Sequence, residues 1–338
     1  MNYTILLRPH RNRRYQEGVV RLSRAELINL LARLGIEAAV TANARLGGDF
    51  LDFACEGLTE AALDGLSVHS HLQLLCQARE DGSLMPLRGE APALLGEELA
   101  YVPKYKGKTN AAFTMLMLNL ARAESAFARE KRPLTVLDPM CGKGTTLYCA
   151  LEQGMNAVGI DRDRKDLKEA MDFVNRSLQM QRVKHSLTQN SRSVPKGSAV
   201  PEAVYTLADT KEHYQAGDTR TLRFLLSDTR QAGALLRKEP VELLVADLPY
   251  GIQHAPENGG RPESFEQLMK RALPSWREAV KPGGVMAVSF NSYTLPKKQL
   301  AQWASSAGWE PLTASPLDDL EHYVEQAVNR DLLLCLRK

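Results

Sequence analysis

One stretch decides the fold of this chain: Thr135-Val-Leu-Asp-Pro-Met-Cys-Gly-Lys-Gly-Thr-Thr146. A short apolar segment runs into an acid, a turn with two glycines follows, and the threonines begin a helical pattern. This order of strand, tight turn and helix is typical of the first unit of a doubly wound α/β sheet. It is not a Walker A phosphate loop, because such a loop needs a further glycine at a fixed spacing before the Gly-Lys pair. Gly142 and Gly144 predict a close approach of the backbone to a ligand.

The next strand carries a second signal. Asn156-Ala-Val-Gly-Ile160 ends in Asp161, about twenty residues beyond the glycines, where an acid can accept both ribose hydroxyls of an adenosyl group. Further along, Asp218 and Thr219 follow a glycine and precede an apolar run. We expect Asp218 to accept a hydrogen bond from an adenine amine, so the three segments together predict a nucleoside-binding site.

A third segment indicates the chemistry: Val245-Ala-Asp-Leu-Pro-Tyr-Gly251, an apolar strand that runs into a carboxylate, a proline and an aromatic ring. Asp247 and the carbonyl of Leu248 can accept the two hydrogens of an exocyclic base amine. Pro249 fixes the turn by locking its own φ and restricting the preceding residue. Tyr250 offers a stacking face worth about 1–3 kcal/mol per base. We therefore predict that these four residues hold a target amine for transfer of a group to nitrogen.

Composition sets broad limits. The chain has 338 residues, of which 44% are hydrophobic and 25% charged, and a formal charge of +3, which tolerates a nucleic-acid partner without requiring one. Five scattered cysteines lack the CxxC and Cys/His spacings of metal sites, so we expect reduced thiols and no metal. The sequence has neither a signal peptide pattern nor 18 continuous apolar residues, so we expect a cytoplasmic protein that does not enter a membrane. The oligomeric state is not predicted.

Periodicity divides the chain into three parts. Residues 1–80 read as a βαββαβ pattern, which predicts a small α+β domain. Residues 81–100 are rich in Gly, Pro and acids and read as a linker, and residues 101–338 carry the α/β domain. Residues 181–215 are polar and predict a loop or insertion, which is either a lid or substrate contact or a surface excursion. Lys106 and Lys108, with Tyr105 between them, are candidates for contacting nucleic-acid phosphates, and the alternative is a solvated linker. Asn291, at the end of a predicted strand, is a further substrate-binding candidate.

The phrases DPMCGKGTT (138–146) and DLPYG (247–251) resemble the motifs of the THUMP-associated tRNA guanine-N2 methyltransferases and related bacterial RNA methyltransferases. The resemblance implies a Rossmann-like methyltransferase sheet of seven strands with one antiparallel, preceded here by a ferredoxin-like domain, and S-adenosyl-L-methionine as cofactor. It places Asp138, Cys141, Gly142 and Gly144 on the methionine side, Asp161 at the ribose and Asp218 at the adenine. The full predicted cofactor set is Asp138, Met140, Cys141, Gly142, Gly144, Thr145, Asp161, Arg162, Asp218 and Thr219.

Several functions fit these motifs. The leading prediction is methylation of an exocyclic base amine in structured RNA, most favourably guanine N2 in tRNA. The same motif suits adenine N6 or cytosine N4 of DNA, or the amine of a small molecule or peptide, because it specifies an amine and not a polymer. A non-catalytic RNA-binding scaffold would be expected to lack the site acids, yet Asp138, Asp161, Asp218 and Asp247 are all present. The N-terminal part has room for only one of the two RNA-binding segments of the family, which leaves the acceptor open.

Overall fold

The computed structural model describes residues 1–10, 12–90, 99–102, 109–193, 199–249, 257–258 and 261–338. Two large sheets organise these residues. The helices are α1 (Arg13–Arg33), α2 (Glu60–Ser67), α3 (Ala111–Ala123), α4 (Thr145–Glu152), α5 (Arg164–Met180), α6 (Lys211–Ala216), α7 (Ala232–Leu236), α8 (Phe265–Ala279) and α9 (Lys297–Ser306).

The strands are β1 (Asn2–Leu7), β2 (Thr41–Arg45), β3 (Gly48–Ala54), β4 (Leu72–Ala78), β5 (Leu84–Leu87), β6 (Thr135–Asp138), β7 (Asn156–Asp161), β8 (Lys184–Arg192), β9 (Val200–Ala208), β10 (Arg220–Leu226), β11 (Val241–Asp247), β12 (Glu257–Asn258), β13 (Arg261–Pro262), β14 (Val280–Asn291), β15 (Glu310–Leu312), β16 (His322–Glu325) and β17 (Val328–Leu336).

The N-terminal sheet has the order β2-β3-β1-β4-β5, and its neighbouring strands are antiparallel. The order β2-β3-β1-β4 with two crossing helices is that of a ferredoxin-like unit, which confirms the predicted small α+β domain. Alternate residues of β1 explain the packing, because Tyr3, Ile5 and Leu7 are buried against Leu27 and Leu30 of α1. Strand β5 lies within residues 81–100, so part of the predicted linker extends this sheet.

The larger sheet has the order β15-β17-β14-β11-β6-β7-β10-β9-β8, and β16 pairs with β17. The strands β14, β11, β6, β7 and β10 are parallel, and β17 runs antiparallel to β14. The first seven strands in this order form the expected Rossmann-like methyltransferase sheet with its one reversed strand. Residues 181–215 were predicted to be a loop or an insertion. A loop is wrong, because β8 and β9 form a hairpin that extends the sheet beyond β10.

Helices cover both faces of the larger sheet. On one face α3, α4 and α5 bury Phe113, Tyr148 and Val174, and on the other α8 and α9 bury Trp276 and Leu300. Apolar residues of the parallel strands fill the space between, as expected for a sheet that is buried on both sides. No helix in the described ranges has the length and apolar character needed to cross a bilayer.

A buried polar network joins the N-terminal unit to the larger one. Glu26 of α1 is fully buried, and its carboxylate accepts hydrogen bonds from the backbone N–H of Ser70 at 2.9 Å and from the Asn119 side-chain amide of α3 at 2.6 Å. The Ser70 hydroxyl donates to the same carboxylate at 2.5 Å. Helix α1 also packs on β16, where Gly18 allows close contact with His322. The two units therefore contact each other along α1.

Candidate active site

Three acids terminate neighbouring parallel strands. Asp138 ends β6, Asp161 ends β7 and Asp247 ends β11. Because β11, β6 and β7 are adjacent and parallel, all three carboxylates lie at the carboxyl edge of the sheet. Ligands of open α/β sheets bind at this edge. These three predicted site residues therefore meet there because of the topology, although the chain separates them widely.

The glycine turn between β6 and α4 has the backbone that the sequence predicts. The Met140 N–H donates to Asp138 Oδ1 at 3.0 Å, and the Gly144 N–H donates to the Cys141 carbonyl at 2.8 Å. Gly142 and Gly144 have φ angles of +48° and +90°, which L side chains rarely adopt. Thr145 then begins α4.

Cys141 contributes its backbone to this turn. Its N–H donates to the Ile160 carbonyl at 3.1 Å, and its side chain is buried against Gly159, where an added Cβ would lie 2.7 Å from the Cys141 sulfur. Burial raises the pKa of the Cys141 thiol well above its usual value. The thiol is therefore neutral and packed inside the protein, so it does not serve as a nucleophile.

Asp161, at the end of the neighbouring strand β7, contacts the glycine turn through its carboxylate. Its carboxylate accepts from the Gly142 N–H at 2.7 Å and from the Asp163 N–H at 2.9 Å. The adjacent Arg162 is exposed at the same edge. The glycine turn is thus tied to the strand that carries the predicted ribose acid, and the distance between the two parts of the site is fixed.

Asp138 has an unusual environment for a carboxylate. Complete burial raises its pKa to about 7, the negative charges of Asp161 and Asp247 act in the same direction, and hydrogen bonds from Thr146 and the Met140 N–H oppose the rise. A buried carboxylate is stabilised by a cationic ligand group. Asp138 therefore suits the ammonium end of an amino-acid ligand.

Asp218 and Thr219 do not lie at this edge, so their predicted cofactor contact is wrong. They precede β10, whose register places its first residues beside the start of β7 and Leu226 beside Asp161. Asp218 is more than half exposed, and its carboxylate pairs with Arg220 at 2.7 Å. The acid that follows the carboxyl end of β10, on the side of Asp161, is Asp228. The neighbouring Ser227 N–H donates to the Asp161 carbonyl at 2.9 Å.

Asp228 is held by Arg230. The Arg230 side chain donates to both carboxylate oxygens of Asp228, at 2.7 and 2.6 Å. Although burial opposes it, this pairing lowers the pKa of Asp228 below its ordinary value. Asp228 thus remains ionised at neutral pH beside the predicted ribose acid. Its position makes it the candidate for contacting an adenine.

Asp247 is held by residues from three parts of the chain. The Thr109 hydroxyl donates to Oδ2 and the Ser289 hydroxyl donates to Oδ1. The guanidinium of Arg330, a buried residue of β17, lies 3.8 Å from Oδ2. The Leu248 N–H donates to the Ser289 carbonyl at 2.9 Å, which fixes the peptide that leads into the motif. Leu248 is buried and Pro249 is exposed.

Sequence reasoning missed four residues of this edge: Thr109, Asp228, Ser289 and Arg330. Only Asp228 has a local signal, since it follows the apolar strand Arg220–Leu226. The other three come from segments that are distant in sequence.

Other predicted residues have different outcomes. Lys106, Lys108 and Tyr250 lie outside the described residues. Asn291 was predicted to bind substrate, but its amide donates to the Ala327 carbonyl at 3.0 Å and accepts from the N–H groups of Tyr293 and Asn329, both at 3.2 Å. Asn291 is buried and holds the turn between β16 and β17. Its side chain has a structural role here, and its contact with substrate stays a prediction.

Lys143, in the middle of the glycine turn, points to α5. Its ammonium contacts Glu169 Oε2 at 2.5 Å and Asp166 Oδ1 at 3.8 Å. This pairing explains how a positive charge is accommodated beside a ligand site, because the side chain turns away from the sheet edge.

The edge has the features that an adenosyl amino acid requires. An added Cβ on Gly142 would meet nothing within 4 Å, so the turn faces open space. Asp138 can hold an ammonium, Asp161 a ribose and Asp228 an adenine, in the order of the adjacent strands β6, β7 and β10. The residues present therefore fit S-adenosyl-L-methionine.

Comparisons with known proteins give one family match and several similar solved structures. The model of the RMKL-like methyltransferase domain family matches residues 107–312, more than half of the chain. Among solved structures, the chain is similar to TrmN from Thermus thermophilus, with 16% identity, 100% of both chains covered and a TM-score of 0.46. It is also similar to the rRNA methyltransferase aviRa from Streptomyces viridochromogenes, with 16% identity, 73% of this chain and 95% of that chain covered and a TM-score of 0.41. No curated protein matches the chain in sequence.

Proposed function

This chain belongs to the RMKL-like methyltransferase domain family and is an S-adenosyl-L-methionine-dependent methyltransferase, and we propose that it methylates an exocyclic amine of a nucleobase in structured RNA. Guanine N2 in tRNA is the acceptor that we favour. We also propose the division into residues 1–80, a connecting segment at 81–100 whose β5 pairs with the N-terminal sheet, and residues 101–338. The N-terminal unit is proposed to assist in RNA binding.

The observation that carries this proposal is the position of Asp247. It lies at the same sheet edge as Asp138 and Asp161, on the strand next to β6. Its carboxylate is oriented by two hydroxyl donors, Thr109 and Ser289. A carboxylate accepts about four hydrogen bonds, so an amine N–H can be accepted beside two hydroxyls.

The mechanism follows from the chemistry of an aromatic amine. Its lone pair is conjugated into the ring, and acceptors for its hydrogens make the nitrogen a better nucleophile. We assign this role to Asp247 and to the carbonyl of Leu248, whose own N–H is fixed to β14. S-adenosyl-L-methionine supplies an electrophilic methyl group at this edge. The amine loses its proton after attack, so positioning and electrostatics carry the catalysis and no strong base is needed.

The preference for RNA rests on the resemblance of the motifs 138–146 and 247–251 to those of the guanine-N2 methyltransferases. A base within a helix must leave its stack to reach Asp247, at a cost of a few kcal/mol. An unpaired or weakly paired nucleotide costs less. This favours structured RNA with accessible bases. We also propose a cytoplasmic location, for which the support is the scattered spacing of the five cysteines in the sequence.

The test is transfer of labelled methyl from S-adenosyl-L-methionine to separate pools of tRNA, ribosomal RNA and DNA. Nuclease digestion and chromatography then identify the labelled nucleoside. N2-methylguanosine in the tRNA pool is the expected product. Label on adenine N6 or cytosine N4 of DNA would show that the acceptor is DNA, the second candidate, and not RNA. Label in no pool, with the cofactor still bound, would favour a small molecule or peptide.

A further inference from the structure

Thr109 is the residue that links Asp247 to the rest of the molecule. It directly precedes Asn110, the N-cap of α3, and its hydroxyl donates to Asp247 Oδ2. Asn110 is fixed by α3, because its side-chain oxygen accepts from the Ala112 N–H at 2.9 Å and its carbonyl accepts from the Thr114 N–H at 3.0 Å. The position of Thr109 therefore depends on where α3 begins.

Helix α1 of the N-terminal unit contacts this point. The amide nitrogen of Asn110 donates to the Tyr15 hydroxyl at 3.3 Å. Tyr15 is buried, and its ring lies between those of His10 and His322, with centroid distances of 4.4 and 6.1 Å. The N-terminal unit thus reaches within one residue of the Asp247 contact.

The same helix supports the other neighbour of Asp247. The Arg330 guanidinium lies over the Phe113 ring at 4.7 Å, and the rings of Phe113 and His322 are 5.0 Å apart. His322 is in turn covered by α1 at Gly18, where an added Cβ would lie 2.7 Å from His322 Cβ. The charge of Arg330 also reaches Tyr15, because it opposes the rise in pKa that burial gives that phenol. Phe113 and His322 therefore connect Arg330 to Tyr15 and Gly18 of α1 by continuous contacts.

We propose that Thr109 is a positioning residue for Asp247 and that α1, through Tyr15 and Gly18, holds Thr109 and Arg330 in place. The N-terminal unit is then part of the apparatus that orients the acceptor amine, in addition to any contact with RNA. This inference rests on the role proposed above for Asp247. Displacement of α1 is therefore expected to lower the rate of methyl transfer itself.

The first test compares Thr109→Val with Thr109→Ser in the full chain. Valine has a similar shape but no hydroxyl, whereas serine keeps the donor. Loss of a hydrogen bond to a charged group corresponds to a decrease in rate of about 10- to 100-fold. We expect this decrease in the single-turnover rate of methyl transfer for Thr109→Val. For Thr109→Ser we expect a rate within about 3-fold of wild type. The dissociation constant of S-adenosyl-L-methionine, measured by calorimetry, is expected to stay within about 2-fold in both, since Thr109 contacts Asp247 and not the cofactor residues.

The second test displaces α1 without changing the site. Gly18→Ala strengthens the helix intrinsically but places a methyl group against His322, which must move. Glu17→Ala, on the exposed side of the same helix, is the matched control. We expect Gly18→Ala to lower the single-turnover rate at saturating acceptor and Glu17→Ala to leave it unchanged. If Gly18→Ala does not fold, Tyr15→Phe removes only the hydroxyl that Asn110 contacts and is expected to lower the same rate.

Two results would overturn the inference: a wild-type rate for Thr109→Val, or an effect of α1 displacement confined to the KM for the acceptor. Asp247→Ala separates this failure from failure of the proposed function. If Asp247→Ala abolishes methyl transfer while Thr109→Val does not affect it, only the positioning role of Thr109 is refuted. If Asp247→Ala keeps a wild-type rate, the proposed function falls as well.

Discussion

Asp218 and Asp228 flank one strand, β10, and therefore lie at opposite edges of the larger sheet. Only Asp228 is at the edge that carries Asp138 and Asp161. We expect Asp228→Ala to weaken S-adenosyl-L-methionine binding by about 10-fold, in line with the loss of one hydrogen bond to a charged group. Asp218→Ala is the matched control and should bind the cofactor as wild type does. Calorimetry on both variants is the measurement, and equal losses would contradict the assignment.

The roles of two strand-end acids can be separated. Asp247→Ala is expected to abolish methyl transfer while leaving cofactor affinity nearly unchanged, because Asp247 contacts the acceptor in the proposed mechanism. Asp161→Ala should mainly weaken cofactor binding, since it removes the ribose acid and the bond to the Gly142 N–H. Transfer assays and calorimetry on the same preparations test this. A similar loss of cofactor binding in both variants would refute the division of roles.

Cofactor affinity should depend on pH through Asp138. Its pKa of about 7 in the folded protein means that protonation begins as the pH falls below 8. A protonated carboxyl attracts the ammonium of the cofactor less, so affinity is expected to fall between pH 8 and pH 6. Asp138→Asn should bind weakly at both pH values and lose this dependence. A wild-type pH profile in that variant would exclude Asp138 as the cause.

The same residue affects stability. Because the folded-state pKa of Asp138 lies above the ordinary value of 3.8, the folded state binds its proton more tightly and loses stability as the pH rises from about 4 to 7. Asp138→Asn should therefore raise the Tm of the cofactor-free protein at pH 8 by a few degrees. Thermal unfolding at pH 8 and at pH 5 tests this, and the gain should shrink at pH 5. Comparison of the variant with wild type at each pH removes the contribution of other titrating groups to the Tm. One such group is His322, because burial lowers its pKa to about 4.

The buried Glu26 network predicts a purely structural effect. Glu26→Ala leaves the Ser70 N–H and one of the two Asn119 amide hydrogens without their acceptor, while the other amide hydrogen keeps the Val68 carbonyl at 2.7 Å. We expect the free energy of unfolding to fall by roughly 3 kcal/mol. Denaturant unfolding is the measurement, and the exposed Glu17→Ala should change it by less than about 0.5 kcal/mol. A loss for Glu26→Ala as small as that of the control would show that the network adds no stability.

The sequence predicts those elements that have clear periodicity. The parallel strands that end at Asp138, Asp161 and Asp247 lie where apolar runs meet an acid. Strand β8 was missed because most of its residues are exposed on both faces, so the alternation that marks a half-buried strand is absent. Asp228 was missed because acids flank β10 on both sides, and only the direction of the strand in the sheet shows which of them lies near Asp161. Thr109 and Arg330 gave no local signal, since their function arises from tertiary contacts.

The bond between Asp161 and the Gly142 N–H has a kinetic consequence. The glycine turn takes its shape from protein groups alone, so the conformational entropy of that turn is lost during folding and not on binding. Cofactor association should therefore be a single bimolecular step without a slow rearrangement of residues 140–144. Stopped-flow binding is expected to give an observed rate that rises linearly with cofactor concentration, and a plateau would reveal a rearrangement.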